Sequence, residues 1–439
     1  MLRYSNKGLL LRAVKRHTIL TPIRKFNSTV PKYSAKQNFA SLRQKIKDTP
    51  IEWAPIPVGL GLAYIGFQQY THIREREIQK QEESSEFKKP VVVGPWQVHV
   101  FGALPLRALS RFFGSFNGVT LPVWLREPGY KLYSWVFGCN LEEMENPDLK
   151  SYPNLGDFFY RTLKPGARPI DDGIMVSPSD GKVLHFGVVQ GRMVEQIKGF
   201  TYNLDAFIGN GNGKDTEWID TPVGSITDEE EFANVNGITY SLDKLLGEEG
   251  EVAPQSTESA KSEQYHIPPL KEGNQLFFCV IYLAPGDYHR FHSPTNWVVQ
   301  NRRHFAGELF SVSPYMVKLL SNLFVLNERV VLLGQWRHGF FAMAPVGATN
   351  VGSIKINFDK ELRTNQKEII PEGTYTQVSY ESYSNRLGGY PLRSGDEVGG
   401  FRLGSTVVLV FEAPSNFKFT LEPNQTVRVG QKIGELEEN

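Results

Sequence analysis

The chain has 439 residues, enough for one large domain or two. Its 40% hydrophobic and 22% charged residues are those of an ordinary globular protein, not of a disordered or fibrous chain. The net charge of +1 conceals two unlike parts: residues 1–50 hold twelve Lys or Arg against one acid, Asp48, so the remainder is net acidic.

Residues 1–40 contain no Asp or Glu, and Leu9, Leu10 and Leu11 lie among Arg3, Lys7, Arg12, Lys15 and Arg16. This suits an amphipathic presequence for mitochondrial import. A basic tail for nucleic acid is the competing reading, but no basic patch with interleaved aromatics follows, so nucleic acid is not an expected partner. Residues 41–73 form a flank and a candidate single span: Trp53 to Ile73 carries no formal charge, although Pro55, Pro57 and three glycines interrupt it. A span needs about 20 apolar residues. The basic flank before it places the N-terminal side in the matrix and the body in the intermembrane space. A short interfacial or packed helix remains the alternative. Residues 74–103 read as a charged linker.

From 104 to 170 the pattern is helical and aromatic-rich, with Leu104, Leu106, Leu109, Phe112, Phe113 and Phe116 punctuated by Arg107 and Arg111. Such helices lie on an anionic lipid surface or pack in a core. From 171 to 439 short Val/Ile/Phe/Tyr runs alternate with Gly, Pro, Asn and Asp. The runs are Gln275–Leu283, Val330–Leu333, Gly339–Pro345, Ser353–Phe358, Tyr375–Tyr380 and Thr406–Phe411. The fold class is therefore α+β with a mainly antiparallel β core. One helix is expected from Pro314 to Asn322, with proline in its first turn. Gly199–Gly209 is repeated at Gly237–Gly247, and an insertion over 210–272 ends in the polar, mobile stretch Glu248–Glu272. Cys139 and Cys279 sit in apolar surroundings and read as buried free thiols.

Three segments carry chemistry. Leu403-Gly404-Ser405-Thr406 precedes the strand-like run Val407–Phe411, where a serine hydroxyl can attack the carbonyl of the glycine before it. Ser177-Pro178-Ser179-Asp180-Gly181 supplies a carboxylate; alone, Asp180-Gly181 is a hairpin signal. Asp287-Tyr288-His289-Arg290-Phe291-His292 supplies two imidazoles, and no cysteine or third histidine stands near at ligand spacing, so no metal is expected. Together they provide Asp, His and Ser, the parts of an activated nucleophile.

These segments, with Phe158–Pro169, Phe324–Arg329 and Val346–Ile354, occur in one order, and over about Leu104–Glu435 the chain resembles phosphatidylserine decarboxylases of the mitochondrial type. The resemblance implies a core like a barrel-sandwich hybrid, closed by a hairpin at Val427–Gly434. It also implies a self-cleaving proenzyme: cleavage between Gly404 and Ser405, an α/β pair made of the chain's own two fragments, and a covalent pyruvoyl group derived from Ser405 as the only cofactor. Phosphatidylserine in a phospholipid membrane is then the substrate and phosphatidylethanolamine the product. His292 is the expected base for Ser405, Asp180 orients it, and His289 is either the proton donor in turnover or a structural residue. A serine hydrolase with the same triad is weakened by the lack of a Gly-x-Ser-x-Gly elbow. A membrane-tethered, non-enzymatic β-sandwich adaptor is the remaining alternative.

Overall fold

The computed structural model describes residues 106–197, 200–209, 214–218, 232, 236, 268–348, 353–366, 374–384, 386–402 and 405–437. The expected presequence, the uncharged stretch 53–73, the expected linker, the second repeat copy, residues 248–267 and Leu403–Gly404 lie outside them.

Three helices come first: α1 (Leu106–Asn117), α2 (Val123–Phe137) and α3 (Leu155–Phe159). Helix α2 stops at Gly138, whose left-handed φ of 74° suits glycine. Asn154 caps α3 by accepting from Asp157 N. Tyr130, Met144, Leu149 and Phe158 make the small core beneath, and the Tyr130 and Phe158 rings stack at 4.5 Å. The other side of α1 and α2 is bare: Phe116 is 63% exposed, Leu132 61% and Trp135 81%. No helix among the described residues is long and apolar enough to cross a membrane.

The strands follow: β1 (Met175–Val176), β2 (Gly181–Val188), β3 (Met193–Ile197), β4 (Phe200–Asn203), β5 (Lys214–Trp218), β6 (Asn274–Leu283), β7 (Arg290–His292), β8 (Trp297–Phe305), β9 (Arg329–Trp336), β10 (Gly339–Val346), β11 (Ile354–Ile356), β12 (Thr376–Ser379), β13 (Tyr390–Leu392), β14 (Glu397–Phe401), β15 (Ser405–Pro414), β16 (Phe417–Phe419), β17 (Thr426–Val427) and β18 (Lys432–Leu436). The main sheet runs β17-β2-β6-β15-β10-β9-β8-β12-β5, with β13 also on β8. Its pairings are antiparallel except β12 with β5. Strand β15 lies in the middle, paired from Ser405↔Leu283 to Pro414↔Asn274 on β6, and from Thr406↔Val346 to Phe411↔Phe341 on β10.

The pleat of β15 divides two cores. Val407, Leu409 and Phe411 enter one with Cys279, Ile281 and Phe291; Val408 and Val410 enter the other with Phe278, Val280 and Ala344. Burial on both faces explains an unbroken apolar run where a half-exposed strand would alternate.

Several expectations change. The main sheet ends at β17 and β5 and closes into no barrel. Val427–Gly434 is a corner and not a hairpin: β17 pairs with β2, and β18 with β1 and β16. Asp180-Gly181 makes no hairpin turn either, since β1 pairs with β18; it leads into β2, and a Cβ on Gly181 would stand 2.4 Å from Tyr282 O. The helix expected over 314–322 covers only Pro314–Val317, and a separate short helix, Leu323–Leu326, starts after Asn322 (φ 59°). Strand β5 falls inside the expected insertion and extends the sheet. The first repeat copy forms β4 and a short helix, Leu204–Ile208, with Tyr202, Leu204, Phe207 and Ile208 in the core. Cys279 is buried, whereas Cys139 is only partly so.

The helices clamp the loop after β6. Tyr133 Oη donates to Pro285 O (3.0 Å), and a Cβ on Gly286 would sit 1.9 Å from Phe137 O. Replacing Gly286 with alanine should therefore cost about 1–3 kcal/mol by overpacking. Denaturant unfolding checks this, and an unchanged midpoint would show that α2 yields freely.

Candidate active site

The chain changes sheets where the expected nucleophile stands. Strand β14 belongs to a small sheet, β11-β14-β7, whereas β15 is central in the large one. The change takes place between Phe401 and Ser405. Glycines 399 and 400 permit it: a Cβ on Gly399 would meet Lys355 O at 1.9 Å, and one on Gly400 the Tyr160 ring at 2.6 Å. Ser405 opposes Leu283, the last residue of β6, from which the loop to His289 departs. Phe401 N returns to that loop by donating to His289 O (2.9 Å). Sheet register thus brings Ser405 and the two histidines into one region although over a hundred residues separate them.

The third segment is pinned beside them by backbone. His292 N donates to Pro178 O (2.7 Å), Ser177 N to Gln431 O (2.7 Å) and Gly430 N to Ser177 O (3.0 Å). The Asp180 carboxylate, however, does not reach His292. It accepts from Arg168 Nε (2.9 Å) and Nη2 (2.6 Å), and from Val429 N (2.9 Å). Arg168 Nη2 also donates to Glu143 (2.7 Å), which takes a further bond from Arg428 (3.3 Å). Burial works against the Arg168 charge, and the hydrogen bonds it donates to Asp180 and Glu143 outweigh that, holding its pKa above the ordinary value.

His292 has both ring nitrogens engaged. Nδ1 lies 2.8 Å from Gly395 O, so Nδ1 carries the proton; Nε2 is then the acceptor for the Tyr288 hydroxyl at 3.2 Å. This is the basic tautomer, held by a peptide carbonyl where a carboxylate was expected. Burial lowers its pKa, so it is neutral at pH 7. His289 is similar: Nδ1 bonds Asp287 O (2.8 Å), its ring packs 3.9 Å from that of Phe159, and burial lowers its pKa to about 3.

Several polar atoms here have no hydrogen-bond partner among the described residues. Ser405 Oγ, Ser179 Oγ and His289 Nε2 are buried without a hydrogen bond, as are Arg161 Nε and Nη1. Buried polar groups are nearly always satisfied, so a cluster of exceptions marks a place where reactants belong. The backbone contacts bring the segments that carry Asp180, His289, His292 and Ser405 next to one another. No hydrogen bond joins Asp180 to His292, or His292 to Ser405. Sequence reasoning missed Arg168, Tyr288, Ser179, Arg161 and the Gly395 carbonyl. The side chains stood in the motif segments, yet nothing in the residue types named their partners. Among the described residues no group of three or more His, Cys, Asp or Glu could hold a metal ion.

A family model described as phosphatidylserine decarboxylase matches residues 155–220 and 219–435. The chain is 46% identical to the mitochondrial phosphatidylserine decarboxylase proenzyme 1 of Schizosaccharomyces pombe, over 94% of this chain and 98% of the relative. It is 47% identical to the proenzyme 1 of Saccharomyces cerevisiae over 78% of this chain and 75% of the relative, and 41% identical to the Rattus norvegicus proenzyme over 99% and 98%. The chain belongs to the phosphatidylserine decarboxylase family.

The buried neutral state of His289 has a pH signature. Its folded pKa lies below the unfolded one, so the unfolded chain binds the extra proton and stability falls as pH drops. Between pH 6.5 and about 3, His289 should cost up to about 1.4 kcal/mol of stability per pH unit. Thermal unfolding of His289→Gln should show a correspondingly shallower acid slope than the unaltered chain. Identical slopes would mean that His289 is not buried neutral.

Proposed function

We propose that this chain is a self-processing decarboxylase that converts phosphatidylserine to phosphatidylethanolamine. Ser405 carries the proposal: a fully buried hydroxyl with no hydrogen-bond partner, at the first residue of a central strand, directly after Gly404. Its Oγ attacks the Gly404 carbonyl and the amide becomes an ester, an N-to-O acyl shift. Elimination releases Gly404 as a carboxylate and leaves dehydroalanine on the small chain. Water then yields the pyruvoyl end and ammonia. His292 Nε2 is the base, and for this the Tyr288 hydroxyl must turn aside. Asp180, two residues from the Pro178 carbonyl that takes the backbone N–H of His292, stabilises the imidazolium once it forms.

The site suits a pyruvoyl group, since Ser405 is enclosed and His289 presents a free ring nitrogen. When present, that group supplies an electron sink for loss of CO2. The protein's own part is to exclude water, to hold the headgroup and to deliver a proton; His289 is the residue for that proton, which its orphaned Nε2 must first take up because the ring N–H is engaged at Nδ1.

The helical part over 104–170 docks on lipid. The bare side of α1 and α2 is far more apolar than solvent favours, and α2 rests on the loop that carries both histidines. The basic leader and the uncharged stretch 53–73 support mitochondrial import and a single inner-membrane span, with the body in the intermembrane space. The segments 1–40, 41–73, 74–103, 104–170 and 171–439 then serve as presequence, anchor, linker, lipid-facing helices and catalytic core.

Ser405→Ala should remain one chain and be inactive, whereas unaltered protein gives a 35-residue C-terminal fragment. His292→Ala and Asp180→Ala should also stay uncleaved, and His289→Ala should cleave yet decarboxylate poorly. Gel mobility and CO2 release check these outcomes; cleavage of the Ser405 variant would refute the mechanism. Trp135→Glu should leave self-cleavage intact but weaken sedimentation with anionic phospholipid vesicles by about tenfold or more, the value of one buried aromatic. Unchanged sedimentation would remove α2 from the lipid contact.

A further inference from the structure

We infer that Arg161 binds the phosphodiester of the lipid headgroup; this rests on the decarboxylase reading above. Arg161 is 4% exposed and follows α3 and Tyr160. A guanidinium is charged at every working pH, and burying it without a counter-ion is costly. Yet its hydrogen bonds reach only backbone: Nη2 donates to Gly286 O (3.1 Å) and Asp287 O (3.4 Å). Nε and Nη1 have no partner among the described residues. Arg168, Arg290 and Arg302 each bond a carboxylate, Asp180, Glu397 and Asp359, and buried Arg329, which like Arg161 has backbone partners only, bonds through Nε, Nη1 and Nη2. Arg161, which couples to the Asp287 carboxylate without bonding it, thus keeps two unbonded donor nitrogens, and the ligand they fit is an oxyanion.

The position identifies which oxyanion. Asp287 O accepts both from Arg161 and from His289 Nδ1, so the two side chains share one carbonyl. On the other side, the loop they hold is fastened to α2 by Tyr133, and α2 carries the bare apolar surface. Arg161 therefore stands between the lipid-facing helix and the reacting region. In phosphatidylserine the phosphodiester stands likewise between the acyl glycerol and the serine carbons. The lipid's other anion is the carboxylate, whose charge disappears as CO2 leaves. A cation fixed on it would stabilise the ground state more than the transition state and slow the reaction. The phosphodiester keeps its charge throughout, so a permanent cation there anchors substrate without opposing the chemistry.

The test uses processed full-length enzyme with dioctanoyl phosphatidylserine as substrate and dioctanoyl phosphatidylethanolamine, which has the phosphodiester but no carboxylate, as competitive inhibitor. Arg161→Gln should raise KM and the inhibition constant together, by about 10- to 100-fold for one charge-assisted contact, with a smaller change in kcat. Arg161→Lys should recover part of both. A rise in KM with unchanged inhibition would place Arg161 on the carboxylate, and no change in either would make it a packing residue; both overturn the inference. If Arg161→Gln does not mature into two chains, the same comparison is made on Arg161→Lys. Failure of the unaltered enzyme to release CO2 would instead refute the decarboxylase reading itself.

Discussion

Strand β15 is the interaction on which the rest depends. It holds ten register positions on β6 and six on β10, it separates the two cores, and its first residue is Ser405. Ser405 is thereby fixed in a buried strand paired on both sides, and the chain passes from the small sheet to the large one between Phe401 and Ser405. A serine at the first position of such a strand is a hydroxyl held still. The same pairing explains how a cut chain would stay assembled. Residues 405–437 remain tied through β15, through β17 to β2 and β18 to β1, and through Val429 N to Asp180. Breaking one covalent bond next to such a strand removes none of these contacts.

Electrostatics around the site follows from burial more than from charge pairing. Both histidines are held neutral by desolvation, each donating Nδ1–H to a peptide carbonyl. The neighbouring carboxylate is occupied by Arg168, so the uncleaved site holds a neutral base and an already compensated anion. Burial lowers the His292 pKa, and the Gly395 hydrogen bond, Glu397 and then Asp180 act to raise it. Asp180 and His292 are thus electrostatic neighbours and not hydrogen-bonded partners.

Much of this was legible in the residues, and the gaps have physical causes. β6, β10 and β15 were readable because apolar runs bounded by turn residues admit few other states. β8 was not, since Asn301, Arg302, Arg303 and His304 look solvated. They are buried because Asp359 takes Arg302 (2.8 Å), Gln377 takes Arg303 (2.8 Å) and Glu328 takes His304 (2.9 Å), partners supplied by distant segments. Likewise Asp180, His289, His292 and Ser405 could be nominated from motif chemistry. The assignment of Asp180 to Arg168 and of His292 to a backbone carbonyl depends on register and could not be read from side-chain types. The tail Val427–Gly434 failed as a hairpin because its two arms find better partners in β2 and β1 than in each other.

The central claim is that Ser405 becomes the blocked end of a chain that stays in the fold. Intact-mass measurement of the purified protein under denaturing conditions tests it directly. A fragment covering residues 405–439 and lighter by one ammonia than the peptide beginning with serine is the expected result. A single uncut chain that nevertheless decarboxylates phosphatidylserine, or a fragment that begins with an unmodified serine amine, would contradict the account.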